Sequence, residues 1–61
     1  MTAATTAYKI TGEGDKTNTV TYTPVYEEAE MIAQLINNNG YYPHIEQIAM
    51  CMVPKEIREL F

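Results

Sequence analysis

His44 is the single histidine and Cys51 the single cysteine of this 61-residue chain, so acid–base or thiol chemistry would have to be built from these two positions. A catalytic base needs a nucleophile within hydrogen-bond reach and a carboxylate to orient it. If the segment around His44 is extended, side chains alternate between two faces, which places Tyr42, His44 and Glu46 together and Cys51 on the opposite parity. No nucleophile and base meet. Cys51 stands between Met50 and Met52, a setting expected to pack it as a small apolar residue. One Cys and one His fall short of a zinc set, and no glycine-rich loop could cradle a phosphate. The adjacent Glu27 and Glu28 would diverge on a helix, and both this pair and Glu56/Glu59 read as solvated surface. The expectation is no catalytic residue, no metal and no cofactor.

Binding chemistry is better represented. Five tyrosines, Tyr8, Tyr22, Tyr26, Tyr41 and Tyr42, accompany no tryptophan. Tyrosine combines an apolar ring with a polar tip and suits interfaces and planar ligands. Tyr8 and Tyr22 are assigned to the core, whereas Tyr26, Tyr41 and Tyr42 flank the two ends of a helix and cannot all be buried there. Thr11, Thr17, Thr19, Thr21 and Thr23, with Lys9, are expected to form one polar sheet face next to the N–H groups of a helix start. Arg58 and Lys55 could bring countercharge from a neighbouring subunit. The candidate ligand-binding set is Thr21, Thr23, Tyr26, Tyr41, Tyr42, His44 and Arg58.

These residues require elements to position them. Residues 1–6 show no periodicity and are expected to be a flexible start to a single domain over 7–61. From Ala7 the period is two, with Tyr8 and Ile10 opposite Lys9 and Thr11, which predicts a strand. Gly12 to Lys16 is turn chemistry. Thr17 to Thr23 alternates again, with Val20 and Tyr22 expected toward the core, and should close an antiparallel hairpin. Thr23-Pro24 is a good helix start, and Val25, Ala29, Ile32, Ala33 and Ile36 make one apolar face up to about Asn38. Met31 and Leu35 widen that stripe beyond what one small sheet would cover. Asn39-Gly40 ends the helix. Tyr41 to Val53 reads as one long bent strand with Pro43 at its edge-facing start. Val53-Pro54 opens a short last helix bearing Ile57, Leu60 and Phe61. The order is ββαβα: an α+β domain with a small mixed three-stranded sheet, in which a βαβ crossover sets its two strands parallel and the main helix packs on one face.

A domain of this size buries a modest fraction of its surface and usually needs a staple. Disulfides cannot supply one. Oligomerisation can, and the apolar tail supports it, with Met31, Leu35, Ile48, Met50, Met52, Ile57, Leu60 and Phe61 as the expected homo-oligomer interface. A net charge of −4 with four scattered basic residues leaves no stripe for a phosphate backbone, so no nucleic-acid partner is expected. No apolar run approaches a bilayer span and the start lacks the regions of a signal peptide, so a cytoplasmic location without membrane contact is expected.

From Tyr22 to Phe61 the chain resembles small prokaryotic signal-transducing domains of unknown function with a half-ferredoxin-like βαβ core. The matching residues are Tyr22-Thr23 before the helix, Glu28-Ala29-Glu30 in its first turns, Leu35 near its end, Asn39-Gly40 at its cap and Val53-Pro54 before the last helix. The chain departs from that pattern by its additional N-terminal strand, by Tyr41-Tyr42 after the glycine, and by lacking a clear loop between the later strands. The resemblance implies no catalytic residues. Together these readings lead us to expect a non-enzymatic homo-oligomer that captures a small signal-like, nucleotide-derived ligand between subunits. The alternative is a phage-type inhibitor or adaptor that docks on a larger protein.

Overall fold

The computed structural model describes residues 5–15 and 17–61. The first four residues of the expected flexible start, and Lys16 in the turn, lie outside them. The elements in order are β1 (Thr6–Glu13), β2 (Asn18–Thr23), α1 (Tyr26–Asn38), β3 (Tyr42–Ala49), a 3-10 turn over Met50–Met52, and α2 (Lys55–Arg58). The α+β class and the ββαβα order are as the pattern predicts. β1 runs through Gly12 and Glu13, two residues that had read as turn.

The sheet order is β2-β1-β3, and both pairings are antiparallel. This corrects the expected mixed sheet. β2 and β3 do run in the same direction, but β1 lies between them instead of the two pairing. The physical reason is the seat of α1, whose packing falls mainly on β1 and β3 and much less on β2. A helix that must cover the central strand delivers the chain to the far edge of that strand.

Register decides which side chains the helix covers. Tyr8, Ile10 and Gly12 pair with Thr23, Thr21 and Thr19 across β2 and with Gln47, Ile45 and Pro43 across β3. Residues directly opposite share a face. That face is the helical one, because a Cβ built on Gly12 would come within 2.9 Å of Ile36 Cγ2. Thr19, Thr21 and Thr23 therefore point to the helix side, and Val20 and Tyr22 point away from it, the reverse of the sequence expectation. The expected polar face does not form: Lys9 and Thr11 share the opposite face with Tyr42, His44 and Glu46. Alternation within β2 shows that its two faces differ, and only the pairing with Ile10 and Gly12 says which one meets the helix.

Two hydrogen bonds set the phase of the ladders, Gly14 N–H to Thr17 O at 3.1 Å and Met50 N–H to Thr5 O at 2.9 Å. Bonded and non-bonded pairs alternate from each. On β3 the groups of Tyr42, His44, Glu46 and Ile48 then turn to β1, and Pro43 has its missing N–H on the outer edge, as expected, at no cost to the ladder. On β2 the groups of Thr19, Thr21 and Thr23 turn inward, and those of Asn18, Val20 and Tyr22 point outward.

β3 stops at Ala49 instead of continuing to Val53. Ala49 pairs with Thr6, the first residue of β1, and after one further bond, Met50 N–H to Thr5 O, the chain turns into the 3-10 segment. α1 ends in a Schellman arrangement: Gly40 adopts φ 87°, Gly40 N–H reaches Asn37 O and Tyr41 N–H reaches Ile36 O, each at 3.1 Å. The Asn39 side-chain amide also donates to Leu35 O at 2.7 Å.

The buried apolar residues are Ala7, Ile10, Ala29 and Val53. Ile32, Ala33 and Ile36 are half-buried on the helix face, whereas Val25, assigned to that face, is exposed because the helix begins only after it. Cys51 is exposed in the 3-10 turn, which overturns its assignment to the core. No described helix is long and apolar enough to cross a membrane.

Because a Cβ on Gly12 would also lie 2.7 Å from Thr19 Oγ1, Gly12→Ala should force Ile36 outward and destabilise the fold by about 1–3 kcal/mol. A urea midpoint equal to that of the unsubstituted protein would show that the helix seat is looser than described.

Candidate functional site

Two open clefts border α1, one at its C-terminal end and one along its flank; at 13 residues the helix is about 20 Å long. The first, of about 590 Å³, forms where the helix C-terminus meets the β1–β2 turn, and Glu13, Asp15, Thr17, Asn37, Tyr41 and Tyr42 line it. Tyr41 OH lies 3.2 Å from Thr17 Oγ1. Its ring covers Gly14 so closely that a Cβ there would fall 2.7 Å from Tyr41 Cε2. Glycine at this turn is what lets the aromatic ring close over the backbone. The cleft presents carboxylates, an amide and phenols to solvent.

The second is a groove of about 450 Å³ along the β2 side of α1. Met31, Ile32 and Leu35 form one wall, and Tyr22, Thr23, Pro24, Leu60 and Phe61 complete the lining. Its one acidic group, Glu28, is already engaged. Thr23, only 3% exposed, donates from Oγ1 to Glu28 Oε2 at 2.7 Å and accepts from Val25 N–H at 3.2 Å. The threonine acts from outside the helix: Val25 is the N-cap and carries no side-chain cap bond, Pro24 precedes it instead of opening the helix as expected, and Thr23, two positions before the cap, ties Val25 N–H to the Glu28 carboxylate. The groove continues along the helix flank past Gln34 to Asn38.

The candidate ligand residues are not gathered at one place on the chain. Tyr41 and Tyr42 line the first cleft and Thr23 the second. Thr21 shares the face of Thr23 one step along β2. Tyr26 stands at the start of α1 with its ring edge-to-face on Tyr8, centroids 5.2 Å apart. His44 is exposed on the opposite sheet face, across from Thr11, and Arg58 is exposed on α2. The interface candidates converge better. Met31, Leu35, Leu60 and Phe61 share the groove, with Met31 66%, Leu35 60% and Leu60 82% exposed. Ile48 is half-buried on the face away from α1, beside Ala7, and Met50 and Ile57 are half-buried in the segment that follows, where Met52 is exposed. Sequence reasoning missed Tyr22, Pro24 and Ile32 as groove residues; the signal was the edge position of β2, which only pairing reveals.

Among the described residues no group of three or more His, Cys, Asp or Glu side chains could hold a metal ion. Compared with family models, curated proteins and solved structures, the chain finds no match in any of the three.

Removing the Thr23 hydroxyl with Thr23→Val leaves the Val25 N–H and the Glu28 carboxylate without their shared partner and should cost about 1–2 kcal/mol. Thr23→Ser should recover most of it. Thermal unfolding of the two variants side by side checks this, and a loss confined to Thr23→Ser, with Thr23→Val as stable as the unsubstituted protein, would mean that packing of the methyl group, not the hydroxyl, matters.

Proposed function

We propose that this chain is a non-enzymatic binding protein that assembles with copies of itself and takes a small signal-like, nucleotide-derived ligand between them. The observation that carries the reading is the groove beside β2, where Met31, Leu35 and Leu60 stay largely exposed around Phe61. Exposed apolar patches of this kind mark interaction sites. Polar candidates lie apart on one copy, and an assembly is what would bring Thr21, Thr23 and the tyrosines of different copies to one cleft. Concave sites at subunit junctions suit a chain too small to enclose a ligand alone. An exposed, single Cys51 fits a reducing cytoplasmic setting.

The second reading is a small phage-type inhibitor or adaptor that docks on a larger protein. The predominantly apolar lining of the same groove favours it, since an apolar side chain of a partner fits there as readily as a ribose or phosphate. A net charge of −4 would steer such a chain toward a basic partner.

Light scattering on the purified protein, followed by thermal shift against a panel of nucleotides, separates the two. The first reading expects a mass that is a multiple of 6.9 kDa and a rise in Tm of roughly 10–20 °C with at least one nucleotide, as about 2–3 kcal/mol of ligand stabilisation would give at saturating concentration. A mass of one copy with no nucleotide response discards it in favour of the adaptor.

A further inference from the structure

The two edges of the sheet are not equivalent. β3 carries Pro43 on its outer side and charged Glu46 along its length, devices that blunt an edge against pairing. β2, Asn18-Thr19-Val20-Thr21-Tyr22-Thr23, has neither proline nor charge and is rich in β-branched and aromatic residues. Its outward-pointing N–H and C=O groups, on Asn18, Val20 and Tyr22, have no backbone partner among the described residues. Val20 is 49% exposed. Above this edge α1 leans toward β1 and β3, and the flank it turns to β2 carries Met31 and Leu35.

We propose that β2 is the self-association edge of this protein, pairing antiparallel with β2 of a second copy about a two-fold axis at Thr21 and continuing the sheet across both copies. The inference rests on the self-assembly part of the proposed function and gives it a surface and a symmetry. Parity restricts the register. Opposed residues of an antiparallel pair share a face, so a strand meeting its own copy must oppose residues of like parity. With Thr21 on the axis, Val20 opposes Tyr22 of the second copy, and both have their backbone groups turned outward, ready for reciprocal N–H···O bonds on each side of the axis. The pair is apolar against aromatic on the face away from the helices. On the helix side Thr19 opposes Thr23, and Thr21 opposes itself. Two chains of net charge −4 thereby meet along a strip without charge. Such an interface is isologous and closes as a dimer.

The geometry has a consequence for binding. With strands about 4.8 Å apart, helices seated between β1 and β3 of each copy would lie about 19 Å apart, roughly twice the distance of packed helices. A cleft remains between them, floored by the hydroxyls of Thr19 and Thr21 and walled by Met31 and Leu35 of both copies. The threonines that face the helix side without being covered by it would line that floor.

The test places the same insult on either edge of the intact chain. Val20→Pro removes an N–H that points away from β1, so the hairpin keeps its ladder, and Gln47→Pro does the same on the outer side of β3. Sedimentation velocity over a concentration series should show Val20→Pro raising the dimer Kd roughly 10- to 100-fold while Gln47→Pro leaves it unchanged. If Val20→Pro associates like the unsubstituted protein, or Gln47→Pro weakens association equally, β2 is not the edge used, although self-assembly by another surface survives. A single-copy mass for the unsubstituted protein at every concentration overturns both. Should the Val20→Pro chain fail to fold, hydrogen exchange on the unsubstituted protein decides: Val20 and Tyr22 amides should slow more than about tenfold on going from dilute to concentrated solution, and unprotected amides in the concentrated sample overturn the proposal.

Discussion

The whole structure hangs on β1. Among the described strands it is the one with partners on both sides, and its Ile10 and Gly12 form the seat of α1. Burial of an isoleucine contributes about 1.5–3 kcal/mol, a large share of what a domain of this size can muster. Gly12 adds no burial of its own. It supplies closeness, letting Ile36 approach the sheet at a distance no side chain would permit.

Everything else is arranged around that seat. A helix drawn over β1 and β3 leaves the outer half of β2 thinly covered, and it leaves one flank of its own, Met31 and Leu35, facing a groove instead of a core. The same asymmetry divides the edges. β3 is finished with a proline where no hydrogen bond is required, and β2 is a short, neutral, β-prone strand with outward groups. A fold that buries so few side chains presents both an apolar groove and a hydrogen-bonding edge on one side.

The ends of α1 show how local chemistry and packing cooperate. At its start Thr23 serves two groups at once, the Val25 amide and the Glu28 carboxylate, and so locks the exit of β2 to the first turn of the helix. At its end the Asn39-Gly40 cap reverses the chain and lays Tyr41 over the β1–β2 turn. The C-terminal junction opens as the first cleft, and the N-terminal one leads into the groove that follows the helix flank.

Much of this was legible in the residues. Period two at Tyr8–Thr11 and Thr17–Thr23, the 3.6 period of Ala29, Ile32, Ala33 and Ile36, a helix beginning just after Thr23-Pro24, the Asn39-Gly40 stop and the surplus of Met31 and Leu35 all act through near neighbours in the chain, and local energetics determine them. The facing of β2, the partner of β3, the end of β3 at Ala49 and the exposure of Cys51 were not legible, because each depends on which strand lies alongside. Alternation in one strand is symmetric between its faces, and breaking that symmetry takes the contact between Gly12 and Ile36, residues far apart in sequence. The element types are thus a property of the sequence read locally, whereas the location of grooves and open edges is a property of the packed sheet, since a side chain becomes surface or core only once its neighbours across space are in place.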